Sequence, residues 1–311
     1  MKLDKCLSGL RGKSFLSITD LNCEQINSLL DLSIQIKNNN ISFDYSPKIL
    51  GLIFEKSSTR TRVSFEVACH RLNVKALEIN PLTSQISRGE PIKDTARVLS
   101  KYVDALSIRT FDQSILSEYD KWGSVPIINA LTDLEHPCQI LADFLTIKEE
   151  FGGLDNLVIS YFGDVNNVAN SLLLCSSILG VQLNIGCPDK FKPSEEIIKK
   201  CLSLNKKPKI PKITNDPFEA VKGSHVIYTD VWSSMGQEAE ASQKDKLFRE
   251  FTVNRSLVEQ AQNDHIILHC LPAYRGKEIT DDVFESKSSR IFKQAENRLH
   301  VQQALLAAIL S

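Results

Sequence analysis

Short apolar runs alternate with helically spaced apolar patterns along almost the whole chain, and this alternation admits few folds. Strand, helix and strand in succession form a βαβ unit, which builds a parallel sheet with helices against its faces. In the first half, 48–56 (KILGLIFEK) reads as a buried strand. A helix from about Ser58 to Leu72, a strand over 74–80, a helix over 94–102 and strands over 104–110 and 125–130 follow. The segment 136–153 (HPCQILADFLTIKEEFGG) opens with a first-turn proline, keeps helical spacing and ends in paired glycines, the pattern of a helix joining two domains. Beyond it, strands over 156–164, 182–188, 225–230 and 265–272 alternate with helices over 167–180 and 194–204. With 311 residues the chain can furnish two cores. The expected class is α/β: two doubly wound domains with mostly parallel sheets, bridged by helices. The apolar helix 296–310 needs a partner surface.

Composition removes whole classes of function. Lys and Arg total 37 against 38 Asp and Glu, so nothing draws the chain as a whole toward nucleic acid or an anionic membrane, and any anion site must be local. No apolar run is long enough for a membrane span, and the amino-terminal stretch lacks the features of a secretory leader, so a cytoplasmic protein is expected. The eight cysteines (6, 23, 69, 138, 175, 187, 201 and 270) show no C-x-x-C pair, which points to reduced core residues. The turn GDVNN (163–167) lacks the glycines of a dinucleotide fingerprint. A metal at His269 and Cys270 lacks further ligands at suitable spacing. No cofactor and no metal are expected.

Against that neutral background, residues 58–62 (STRTR) place three hydroxyls and two guanidinium groups within five positions at a helix start. Cations there oppose the helix dipole unless an anion sits among them. Ser58 or Thr59 can cap the helix while Arg60 offers a bidentate fork, so amides, hydroxyls and guanidinium suit a phosphate; a buried carboxylate is the alternative partner. Further polar groups fall where strands end or helices begin, the positions at which α/β folds hold ligands. These are Arg109 in SIRTF, His136 and Gln139 in HPCQ, and His269 with Cys270 in HCLP. Singly, Arg109 fits a structural ion pair and His136 an ordinary helix start; together they point to one cleft.

STRTR (58–62), HPCQ (136–139), GDVNN (163–167), DVWSSMG (230–236), HCLP (269–272) and ENR (296–298), in this order and at these separations, resemble the aspartate/ornithine carbamoyltransferase family over nearly the whole chain. The resemblance implies a carbamoyl phosphate-binding domain over 1–150, an ornithine-binding domain over 151–290, and a C-terminal helix, 291–311, packing back on the first. It implies transfer of a carbamoyl group from carbamoyl phosphate to an amine, with release of phosphate. Ser58, Thr59, Arg60 and Thr61 would hold the phosphate, and Arg109 would bridge phosphate and carbonyl oxygen. His136 would donate to that oxygen, Gln139 and the Leu271 carbonyl would hold the carbamoyl amide, and Cys270 and Arg298 complete the carbamoyl phosphate set. Gln85, in the loop 81–90, would reach a neighbouring chain's substrate, so a homotrimer with a shared site is implied.

For the acceptor, Asp230 and Ser234 suit an ammonium group, and Asn167 with the Met235 backbone suits a carboxylate, which together favour ornithine. The SSMG loop (233–236) reads as a lid or as an ordinary surface turn. The resemblance implies that Cys270 lies near the attacking amine, whose neutral form it is expected, with Asp230, to favour. Aspartate would call for cationic groups, N-acetylornithine has no α-ammonium, and putrescine has no carboxylate. A non-catalytic binding relative would leave Arg60, Arg109, His136, Asp230 and Cys270 without purpose. Tyr274 departs from the histidine more usual in relatives but lies outside the implied ligands.

Overall fold

The structure is a computed structural model and describes residues 3, 5–205, 209–233 and 241–311. The chain divides into two compact units, one formed by Met1–Leu145 with Glu296–Ser311 and the other by Thr146–Ala295.

In the first unit, β1 (Ile49–Phe54), β2 (Lys75–Ile79), β3 (Ala105–Arg109) and β4 (Ile127–Leu131) form a fully parallel sheet in the order β2-β1-β3-β4. The runs ILGLIF, ALSIR and IINAL are buried almost throughout, as expected for strands covered on both faces. β2 is the edge strand, and its residues are mostly exposed. Chain order reverses between β1 and β3. A crevice therefore opens beyond their carboxyl ends, at Ser58 and Arg109.

The second unit repeats the plan with β5 (Val158–Phe162), β6 (Gln182–Gly186), β7 (Lys212–Thr214), β8 (Val226–Thr229) and β9 (Ile266–His269), parallel in the order β7-β6-β5-β8-β9. Here the reversal lies between β5 and β8, which feed the GDVNN turn and Asp230. Its core gathers Phe162, Ile227, Trp232, Phe248, Phe251 and Ile267 behind that reversal point. The α/β expectation holds in both units.

Two helices cross the boundary between the units along the chain, Pro137–Phe151 and Ile291–Leu310. The second begins five residues before the apolar stretch 296–310. Among the described residues, no helix is long and apolar enough to cross a membrane.

Candidate active site

In the first unit, β1 runs out at Phe54 and the helix Thr59–Arg71 begins within five residues. Ser58 is the cap: its extended backbone (φ −157°) lets Oγ accept the Thr61 N–H at 3.3 Å. No acidic residue occupies the first turn. The two arginines of STRTR part company. Arg62 forks onto Glu78, with both carboxylate oxygens 3.0 Å from its Nη1, so this guanidinium answers to a carboxylate of the protein. Arg60 instead contributes its charge to the group around Arg109 and His136. Beside the Ser58 turn lies a cleft of about 540 Å³ lined in part by Thr59, Arg62, Glu78 and Asn80.

Arg109 ends β3, where the pairing with β4 shifts register, a break that re-aims a side chain at a strand end. It is 9% exposed, and its Nε has no hydrogen-bond partner among the described residues. Burial, then the charges of Arg298 and Arg60, pull its guanidinium down to about 10, still cationic at neutral pH. His136 precedes the Pro137–Phe151 helix, and burial, followed by Arg298, Arg109 and Arg60, holds its imidazole well below the usual value. Three cations and a neutral imidazole thus share one region, an arrangement that a bound anion would stabilise.

Arg298 ties the set together. Its Nη1 donates to Gln139 Oε1 at 2.6 Å and its Nη2 to Thr61 Oγ1 at 3.0 Å, while Gln139 Nε2 donates to Asp143 Oδ1 at 2.8 Å. Arg298 has reached this place from the far end of the sequence. Gln139 is therefore oriented on both sides of its amide. Gln85 stands apart, exposed at the start of the turn Gln85–Arg88, and among the described residues no hydrogen bond joins its side chain to this cluster.

In the second unit, the turn after β5 requires Gly163 at φ +138°, a conformation L side chains rarely adopt. Asn166 then caps the helix Asn167–Leu179, its Oδ1 accepting from Val168 and Ala169 N–H. Its Nδ2 donates to Asp230 Oδ2 at 2.7 Å. The other carboxylate oxygen, Asp230 Oδ1, accepts the Cys270 thiol at 3.0 Å and the Val231 N–H at 2.8 Å. Asn167 begins the helix half-buried beside this group. Asp164 accepts from the buried Lys244 at 2.7 Å.

His269 is not a partner for a Cys270 thiolate. Its Nδ1 accepts the Leu271 N–H at 2.9 Å, which leaves the proton on Nε2, 3.2 Å from Glu278 Oε1. Glu278 also accepts the Tyr274 N–H, a contact to backbone that any residue but proline can make at 274. This network holds Leu271 at φ +61°, in the left-handed region that a branched residue avoids without support. Donor atoms of Asp230, His269 and Cys270 lie within 4.8 Å of one another. A metal there would have to displace the Leu271 or Glu278 contact to gain a lone pair of the imidazole.

Ser234 and Met235 lie outside the described residues. Absent from the sequence expectation are Asn166, Lys244 and Glu278. Asn166 was readable as the cap of the predicted helix, whereas Lys244 and Glu278 sit in polar stretches without pattern.

Comparison with known proteins fits both halves. Residues 13–149 match the carbamoyl-P binding domain of aspartate/ornithine carbamoyltransferase, and residues 155–309 match its Asp/Orn binding domain. An ornithine carbamoyltransferase of Prochlorococcus marinus is 59% identical over 302 residues, covering 97% of this chain and 98% of that protein. The structure of the ornithine carbamoyltransferase from Pyrococcus furiosus superposes with a TM-score of 0.92 at 44% identity, covering 97% of this chain and 98% of that one. That of an anabolic ornithine carbamoyltransferase from Campylobacter jejuni gives 0.88 at 40% identity, covering 95% and 98%. With both domain models matched and identity this high over nearly its full length, the chain belongs to the aspartate/ornithine carbamoyltransferase family.

Proposed function

We propose that this chain transfers the carbamoyl group of carbamoyl phosphate to the δ-amine of L-ornithine, giving L-citrulline and phosphate. One observation carries the reading: Arg60, Arg109 and Arg298 gather around a neutral His136 at the first unit's reversal point. The names of the relatives supply the acceptor.

In this reading the Ser58 and Thr61 hydroxyls, Thr59, Arg60 and the free amides of the helix start hold the phosphate. The δ-amine attacks the carbonyl carbon, a C–N bond forms, and negative charge gathers on the carbonyl oxygen. Arg109 and His136 donate to that oxygen; a neutral imidazole gives its N–H without surrendering the proton. The C–O bond then breaks, its electrons leave with phosphate, and the proton lost by the amine ends on that phosphate. Gln139, oriented by Arg298 and Asp143, and the Leu271 carbonyl read the carbamoyl amide. Asp230 takes the acceptor's ammonium side with Ser234, and Asn167 with Met235 takes its carboxylate. The Cys270 thiol, donating to Asp230, supports the neutral amine.

The finer setting belongs to the same proposal. It is a cytoplasmic homotrimer in arginine biosynthesis, with Gln85 reaching a neighbouring chain's carbamoyl phosphate. The exposure of Gln85 supports the last point, and the anabolic relative from Campylobacter jejuni supports the direction. The test is a citrulline assay with carbamoyl phosphate and ornithine, run beside N-acetylornithine, putrescine and aspartate. Turnover with ornithine alone is expected; turnover with another acceptor in its place rejects the assignment.

A further inference from the structure

Lys244 is a charged side chain that the mechanism does not use and the fold buries to 6% exposure. It lies on the helix Ala241–Phe248, one turn before Phe248, so the two share a face. Phe248 enters the second unit's core, where its ring stacks on Trp232 at 5.8 Å and packs against Phe191 at 4.8 Å. That anchor carries the Lys244 Nζ to 2.7 Å from Asp164 Oδ2, over the Phe191 ring. The neighbouring Asp245 instead pairs with Lys277. Lys244 is thus the charge this helix delivers inward.

Asp164 stands in the GDVNN turn, its carbonyl held by the Tyr161 hydroxyl at 2.8 Å and the Asn166 N–H at 2.9 Å. Two residues on, Asn166 holds Asp230. Asp164 and Asp230 are mostly buried carboxylates close enough to repel each other. Taking one partner from a buried pair leaves a charge that must find another donor. The side-chain amide two residues along the same turn is that of Asn166, and drawing it away would release Asp230.

Resting on the ornithine reading, we infer that Lys244 is a positioning residue of the acceptor site. Its ammonium claims Asp164, so that Asn166 stays on Asp230 and Asp230 remains the carboxylate that meets the acceptor's cation. The inference requires charge at 244 only while a carboxylate stands at 164.

The test compares Lys244→Met, Lys244→Arg, Asp164→Asn and the double variant Lys244→Met/Asp164→Asn with the wild type. Binding of L-norvaline, an ornithine analogue without the δ-amine, is followed by calorimetry in the presence of carbamoyl phosphate, and citrulline formation is measured in parallel. Lys244→Met is expected to weaken norvaline binding and raise the KM for ornithine by about tenfold or more, with the KM for carbamoyl phosphate nearly unchanged. Lys244→Arg and the double variant should each recover most of the loss. If Lys244→Met does not fold, the double variant binding like wild type supports the inference, and its failure to bind overturns it. A folded Lys244→Met that binds norvaline like wild type, or a double variant no better than the single, also overturns it. Wild type that binds norvaline yet makes no citrulline would reject the proposed reaction while leaving the positioning role to be decided by the same binding series; wild type that does not bind rejects both.

Discussion

Arg60 and Arg62 stand two positions apart in the same helical turn, yet they meet different fates. Arg62 is matched by Glu78 from β2, a pairing no local pattern announces, while Arg60 joins Arg109 and Arg298. Arg60 thus keeps the place that the proposed phosphate reading of STRTR gives it, whereas Arg62 is met by an exposed carboxylate and not by the buried one of the alternative. Arg298 comes from so far along the chain that only the fold brings it to Gln139 and Thr61. In the proposed reaction the residue with the sharpest part is Arg109, whose proposed role is tied to charge that develops on the carbonyl oxygen. Arg109→Met is expected to lower kcat by about a hundred- to a thousandfold while the fold persists, measured by steady-state citrulline formation. A loss confined to the KM for carbamoyl phosphate would mean that Arg109 serves ground-state binding alone.

Elements were legible where apolar runs are continuous. β1, β2, β3, β5, β6, β8 and β9 fall inside the expected strands, and β4 runs one residue past its expected end, to Leu131. β7 is three residues at a sheet edge, embedded in a Lys- and Pro-rich stretch, and its pairing is set by β6 more than by its own propensity. The helices Cys23–Lys37 and Gln113–Trp122 were not among the expected elements, although each carries a cap, Asn22 with Gln25 and Asp112 with Ser114. The GDVNN turn shows why spacing mattered there: Gly163 must hold a positive φ for the chain to enter the capped helix. A Cβ at Gly163 would meet the Asp230 carbonyl at an ordinary 3.5 Å, so the obstacle is backbone strain and not space. Gly163→Ala should therefore lower unfolding stability by about 1–3 kcal/mol in denaturant titration. An unchanged midpoint would show that the turn relaxes without cost.

For the whole molecule, the same architectural event occurs twice: a parallel sheet reverses its order, and polar residues collect at the reversal. One unit collects cations and a neutral imidazole, the other a carboxylate with its hydrogen-bonded thiol. The first assembly affects stability. His136 and His300 both titrate below the ordinary imidazole value in the folded chain, chiefly through burial. Below the unfolded value of 6.5 the unfolded chain binds protons that the folded chain resists, so these groups subtract stability as pH falls and are neutral in effect above it. Melting curves between neutral and mildly acid pH should fall more steeply for wild type than for a His136→Gln/His300→Gln variant; parallel slopes would contradict the buried-imidazole account. The central claim is that the anion held by the first unit is a phosphate about to leave. Its most direct measurement follows carbon-13-labelled carbamoyl phosphate by NMR, with ornithine present and free phosphate assayed in the same sample. The account predicts that the label passes into citrulline with one phosphate released for each citrulline formed; phosphate released without labelled citrulline, or no enzyme-dependent release, would contradict it.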